Sequence, residues 1–173
     1  MNNNVQNYTS ANTSINGNKL PTAFTKCRAY GRTLDYGCGK FTNMIKLHVN
    51  EQGAKYFPYD PYNMDEGTNE AVMLIGHKHG FDTIFCCNVL NVIDNDNVIW
   101  SILHEMFSML NNHSKMYIQI YEGNKTGIGK VTKSDCYQRN EKTAEYTKYF
   151  GAFQGAMFTY KVIGNIITVT KLS

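Results

Sequence analysis

Apolar side chains along this chain switch between a period near two and a period near 3.6, and the switching predicts short strands followed by helices. Leu34, Asp35 and Tyr36 form a short strand that runs into Gly37 and Gly39. Directly beyond, Phe41, Met44, Ile45, Leu47 and His48 recur at spacings of three and four, which predicts a helix over 41–50. A shorter helix fits 22–30, next to the first apolar anchors Leu20, Pro21, Ala23 and Phe24. A second short strand ends at Asp60. Residues 63–80 start polar, pass through an apolar stretch at 71–75 and end at Gly80, so they read as a loop and a short helix. That leaves little room for a full strand–helix unit. Residues 81–93 are apolar almost throughout, as expected of a central parallel strand buried on both faces, with Asn88 and Asn91 interrupting its C-terminal end.

Residues 94–96 can cap a helix that reaches about Leu110, with Ile99, Ile102, Leu103, Met106 and Leu110 on one face. Residues 116–121 alternate as a strand, 122–140 form a glycine- and lysine-bearing connection, and 141–150 fit a helix. Gly164-Asn165 is a two-residue hairpin signal between strands at 159–163 and 166–170. Strands alternating with helices and ending in an antiparallel hairpin predict an α/β three-layer sandwich, reduced around the third strand. Residues 1–18 are rich in Asn, Ser and Thr and carry too little apolar surface to fold alone. They read as a polar N-terminal arm, leaving 19–173 as a single domain.

Length and charge narrow the function classes. A chain of 173 residues supports one sizeable core, not two ordinary domains. Seventeen Lys and Arg against fourteen Asp and Glu exclude a polybasic coat. Residues 1–32 nevertheless hold Lys19, Lys26, Arg28 and Arg32 with no acidic residue, suited to an anionic substrate or simply to a solvated arm. The five cysteines form no Cys-x-x-Cys pair, which fits reduced thiols and a cytoplasmic setting. His77 and His79, and the pair His104-Glu105, lack the i, i+4 spacing of a helical zinc site, so no metal is expected. Neither a signal peptide nor a membrane span is expected.

The candidate chemistry sits around the first glycine turn. Gly37 and Gly39 let the backbone approach a ligand closely, and the helix that follows aims unpaired N–H groups at it. Asp60 stands where such folds place a carboxylate for a pair of ribose hydroxyls. Asp35 either braces the glycine loop or faces a cofactor amino group. Asn88 and Asn91 lie at the strand end where open α/β sheets bind ligands. Lys133, Tyr137, Gln138 and Arg139 are able to meet an anion or a polar edge, the alternative being an ordinary surface loop.

Four segments then carry a resemblance. Leu34-Asp35-Tyr36-Gly37-Cys38-Gly39-Lys40, Asp60-Pro61-Tyr62, the run 87–93 with Asn88 and Asn91, and Tyr137-Gln138-Arg139, in that order, resemble a family of small class I S-adenosylmethionine-dependent methyltransferase-like proteins of phages and bacteria. The family is similar to methyltransferase-like proteins associated with DNA phosphorothioation, and the match runs from about residue 8 to the end. The resemblance implies a Rossmann-like fold and S-adenosylmethionine as cofactor. It implies that Asp35, Gly37, Cys38 and Gly39 line the methionine end and that Asp60 holds the ribose. Pro61 and Tyr62 would flank adenine, with Asn88 and Val89 bordering the sulfonium. Phe41 occupies the slot of the family's third glycine, either crowding the pocket or packing with the helix.

Catalysis is expected to be direct displacement of the methyl group, with Asn88, Asn91 and Tyr137 nearest the chemistry and Lys133, Tyr137, Gln138 and Arg139 on the acceptor side. The acceptor is a nucleic-acid-related group or a small molecule. The Asp/Asn-Pro-Pro-aromatic segment of amino-methylating DNA enzymes is replaced here by Asn88-Val89-Leu90-Asn91, which does not support base flipping. Two rival readings are a binding module without turnover and a nucleic-acid-binding accessory factor. Residues 10–16 are expected to close over the cofactor cleft as a lid.

Overall fold

Leu34 and Tyr36 of strand β1 (Arg32–Tyr36) turn to one side of a central sheet, while Asp35 turns to the other and bonds to Tyr56 of β2 (Lys55–Tyr59). That two-residue alternation, repeated in the neighbouring strands, gives the sheet two apolar faces and therefore two layers of helix. The computed structural model describes residues 8–13, 19–153, 155 and 157–173.

On one side, α1 (Thr22–Lys26) and α2 (Asn43–Glu51) bury Phe24, Ile45 and Val49 against Tyr56, Phe85, Tyr117 and Ile166. On the other, α3 (Glu66–His79), α4 (Asp96–Met109) and a 3-10 segment at Thr143–Phe153 pack on the sheet. They bring Val72, Leu103, Met106, Tyr146 and Phe153 onto Leu34, Ile84, Met116, Ile118 and Val169. A fully buried side chain of this kind contributes about 1.5–3 kcal/mol, so both layers are needed to hold the sheet.

The sheet order is β2-β1-β3-β4-β8-β7, with β3 at Phe81–Cys87, β4 at Leu110–Gln119, β7 at Phe158–Ile163 and β8 at Ile166–Lys171. The first four strands are parallel and the terminal hairpin is antiparallel, with Ile118 opposite Ile167. Among the described residues the chain passes from edge strand β2 through α3 to β3 with no strand between, so the sheet is indeed reduced at that point.

Several boundaries differ from the sequence reading. Residues 66–79 make a full fourteen-residue helix, not a short one. Asp65 caps it, accepting from the Thr68 N–H and hydroxyl, and Gly76 lets it approach β3 and α4 closely. A Cβ at Gly76 would stand 2.4 Å from the Met109 sulfur. The helix buries only Val72 and Gly76, which is why its period is faint in the sequence.

Strand β3 stops at Cys87, and the rest of the apolar run forms a 3-10 turn, Leu90–Val92, whose Leu90 is buried. The expected helix at 22–30 ends at Lys26, and the one at 41–50 starts at Asn43. Strand β4 begins six residues before 116, its polar start paired to β3 across a register shift. The connection 122–140 contains a small separate hairpin, β5 (Lys130–Lys133) with β6 (Cys136–Gln138). The expected helix at 141–150 is 3-10, and Glu122 accepts from the N–H and hydroxyl of Thr143 where it begins, both at 2.7 Å.

Candidate functional site

The ends of β1, β2 and β3 meet at one edge of the sheet, and backbone bonds lock them together. Gly37 N–H and Cys38 N–H donate to the Tyr59 carbonyl at 2.7 and 3.1 Å, and Gly39 N–H donates to Asp60 Oδ2 at 2.9 Å. Gly37 has φ +76°, and a Cβ there would lie 2.3 Å from Val89 Cγ2. Glycine is therefore required at 37 for two reasons, its dihedral and the close cover from the turn beyond β3.

Asp60 does the bracing that the sequence left open for Asp35. Its Oδ1 accepts from the N–H groups of Tyr62 and Asn63 and from the Asn63 side chain, at 2.9, 3.0 and 3.0 Å. Asn69 of α3 clamps the same residue, donating to its carbonyl and accepting from its N–H. Oδ2 receives only the Gly39 N–H among these bonds, which leaves it acceptor capacity, and the adjoining Pro61 and Tyr62 are exposed.

Asp35 is buried and accepts from the Tyr56 hydroxyl at 2.7 Å. Burial pushes its pKa up to about 7; the negative charge of Asp60 adds to the rise, and the Tyr56 bond opposes it. Burial likewise holds the Cys38 thiol well above its ordinary value, so it is not a thiolate. Phe41 is 53% exposed and lies before α2. With Lys19, Lys40, Thr42 and Met44 it lines a groove of about 400 Å³, so its side chain belongs to the groove and not to the helix packing.

Beyond β3, Asn88 is exposed with φ +60°. Its N–H donates to the Gln119 carbonyl at 2.8 Å, and its side-chain oxygen accepts from Gln119 Nε2 at 3.3 Å. Gln119 Oε1 in turn accepts from the Ala23 N–H at 2.7 Å, tying α1 to the same edge. Sequence reasoning missed Gln119; the available signal was its place at the end of a parallel strand.

Asn91 is buried in a brace. It donates to Gln138 Oε1 at 3.1 Å and accepts from the Tyr121 N–H at 3.4 Å, while its carbonyl receives the Arg139 N–H. Gln138 also donates to the Tyr121 carbonyl. Arg139, grouped with the acceptor side in the sequence, has its guanidinium turned into the protein. It donates to the carbonyls of Ile93 and Asp94, to the Tyr149 hydroxyl, and to the carboxylates of Glu141 and Asp96. Burial pulls its pKa down, and the Asp96 bond and neighbouring charges overcome this to raise it.

Tyr137 is half-buried, with its ring 6.3 Å from that of Tyr8, and Lys133 is exposed on β5. The arm segment 8–13 packs along this hairpin. Thr9 donates to the Val92 carbonyl at 3.2 Å, and Ser10 and Asn12 donate to Asp135 at 2.5 and 2.8 Å. The remainder of the expected lid, 14–16, lies outside the described residues. Among the described residues no helix is long and apolar enough to cross a membrane, and no three His, Cys, Asp or Glu side chains gather as metal ligands.

The sequence matches no family model and no curated protein. Solved structures are similar in fold. One is 1,6-didemethyltoxoflavin-N1-methyltransferase of Burkholderia thailandensis, with bound 1,6-didemethyltoxoflavin and S-adenosylhomocysteine. It is 17% identical, covers 84% of this chain and 72% of its own, and gives a TM-score of 0.61. A second is an S-adenosylmethionine-dependent methyltransferase of Methanosarcina mazei, 14% identical over 89% of this chain and 98% of its own, with a TM-score of 0.58. A third, from Clostridium acetobutylicum, is 12% identical over 88% of each chain with a TM-score of 0.51. The chain thus has the Rossmann-like fold seen in class I S-adenosylmethionine-dependent methyltransferases.

Proposed function

We propose that this protein is an S-adenosylmethionine-dependent methyltransferase acting by direct displacement on an acceptor not yet identified. The observation that carries the reading is the convergence of the Gly37–Gly39 turn, Asp60 and Asn88–Val89 at the ends of three adjacent parallel strands. The residues present fit such a cofactor. The turn's N–H groups are spent on Tyr59 and Asp60, so a ligand would meet it through its Cα surface, while Asp60 Oδ2 keeps acceptor capacity for a ribose hydroxyl.

When bound, S-adenosylmethionine supplies a methyl group on a positively charged sulfur. Asp60 would hold the ribose, Pro61 and Tyr62 the adenine, and Asp35, Gly37, Cys38 and Gly39 the methionine end, with Asn88 and Val89 beside the sulfonium. Asn88 and Tyr137 would orient an acceptor, with Lys133 and Gln138 on the same side of it. Asn91 and Arg139 act by holding the post-β3 turn in position. Positioning and water exclusion suffice if the acceptor is already a good nucleophile. The 1,6-didemethyltoxoflavin bound in the Burkholderia neighbour supports a small-molecule acceptor.

A second reading, a module that binds the cofactor without turnover, is favoured by the internal engagement of Asn91 and Arg139, which takes two of the residues expected around the acceptor away from it. Calorimetry with S-adenosylhomocysteine tests the binding that both readings share. Asp60→Asn is expected to weaken it by about 1.5–3 kcal/mol through the lost charged acceptor. Unchanged affinity in a folded variant would remove the ribose role. Methyl transfer from labelled cofactor into a small-metabolite fraction separates the enzyme from the binder.

A further inference from the structure

Helix covers the sheet unevenly. On the side that carries α1 and α2, the cover reaches Tyr117 of β4 and Ile166 of β8, and the outer parts of β8 and β7 are open. A groove of about 600 Å³ lies there, rimmed by Lys26 and Arg28 from the end of α1 and by Lys115 and Lys161 from the sheet. Thr159, Thr168 and Thr170 stand between these cations, and no carboxylate lines the groove.

Register fixes the arrangement. Lys115, Thr170 and Thr159 form one rung across β4, β8 and β7, and Tyr117, Thr168 and Lys161 form the next. The two lysines therefore share a face, diagonally across the central strand, with Cα atoms about 12 Å apart from strand spacing and rise. All four cations are exposed, and among the described residues none pairs with a carboxylate. The thiol of Cys27 registers their proximity: burial raises its pKa, and Lys161, Lys115 and Lys26 pull it back down.

We propose that this groove docks the sugar–phosphate backbone of a nucleic acid. Four cations without a carboxylate partner, two on successive rungs of the sheet and two at the end of α1, suit an extended polyanion better than a single small anion. Threonine hydroxyls along the floor are ready donors to phosphate oxygens. A bilayer surface is flat and would meet the rims without reaching those hydroxyls. Exposed cations and hydroxyls of this kind meet phosphate oxygens first, so binding is expected to be sequence-independent and driven by counterion release.

The proposal stands apart from the methyl-transfer reading and is tested without cofactor. Fluorescence anisotropy of the full chain with a labelled single strand and its duplex, followed over salt concentration, gives log K against log salt. Four engaged cations predict a slope of about −3 for the single strand. The double variant Lys115→Ala/Lys161→Ala should roughly halve that slope and weaken binding at low salt. Lys78→Ala, an exposed lysine of α3 on the opposite layer, should leave both unchanged. Thermal melting checks that the variants are folded. Absent binding at low salt, or the same slope in the double variant, overturns the proposal. So does equal affinity for polyglutamate or for phosphatidylserine vesicles.

Discussion

Asp35 and Asp60 are buried carboxylates at the ends of adjacent strands, yet their partners give them opposite characters. Asp60 is surrounded by N–H donors, whereas Asp35 meets a single hydroxyl in an apolar layer. An acid whose pKa rises on folding contributes most to stability below its unfolded value near 3.8, and that contribution is lost as pH climbs through about 7. The wild type should therefore lose stability between about pH 4 and 7, by roughly 4 kcal/mol in total, relative to Asp35→Asn. The asparagine keeps an oxygen for the Tyr56 hydroxyl. Urea unfolding of both proteins at pH 5 and pH 8 checks this, and parallel profiles would show that Asp35 is ionised throughout. From sequence, both residues were visible as site candidates. Their division of labour was not, because it depends on Tyr56 and on the turn after β2, neither of which carries a local signal.

At the scale of elements, what the sequence conveyed well was the set of parallel strands and the closing hairpin, whose apolar runs are bounded by glycine and asparagine. It conveyed poorly the segments whose shape is set by distant partners. The region 122–140 folds into a hairpin because Asn91, Tyr121 and Gln138 bond across it and Arg139 anchors its end to α4. Arg139 reads from the sequence as a surface cation because the groups that hold its guanidinium lie far away in the chain. Arg139→Ala would leave the partly buried Glu141 with Lys148 as its remaining cation and would strip the Ile93 and Asp94 carbonyls of their side-chain donor. A loss of about 1–3 kcal/mol is expected from the acceptors left unsatisfied, detectable as a lower urea midpoint. A change under about 0.5 kcal/mol would mean that water replaces the guanidinium.

For the whole molecule, the arm joins the hairpin to the edge where the strands end. Ser10 and Asn12 both rest on Asp135, and these bonds and neighbouring contacts hold its carboxyl below the ordinary range. Asp135→Ala is expected to release residues 8–13 without unfolding the sheet, since none of them enters either apolar layer. Hydrogen exchange should quicken at 9–13 and at 130–138 while β1, β3 and β4 stay protected. If exchange at β1 and β3 quickens equally, the arm is part of the global fold.

The position of β8 has a consequence for biosynthesis. Among the described residues it comes last of eight strands in sequence yet lies inside the sheet, between β4 and β7. Until its residues leave the ribosome, β4 has no neighbour on one side, and its Met116 and Ile118 lack the facing Val169 and Ile167. The nascent chain thus carries an open, apolar edge for the whole time that residues 120–165 are being made. A chain truncated after Asn165 should be captured by chaperones or aggregate where the full-length protein stays monodisperse, a difference that light scattering would record.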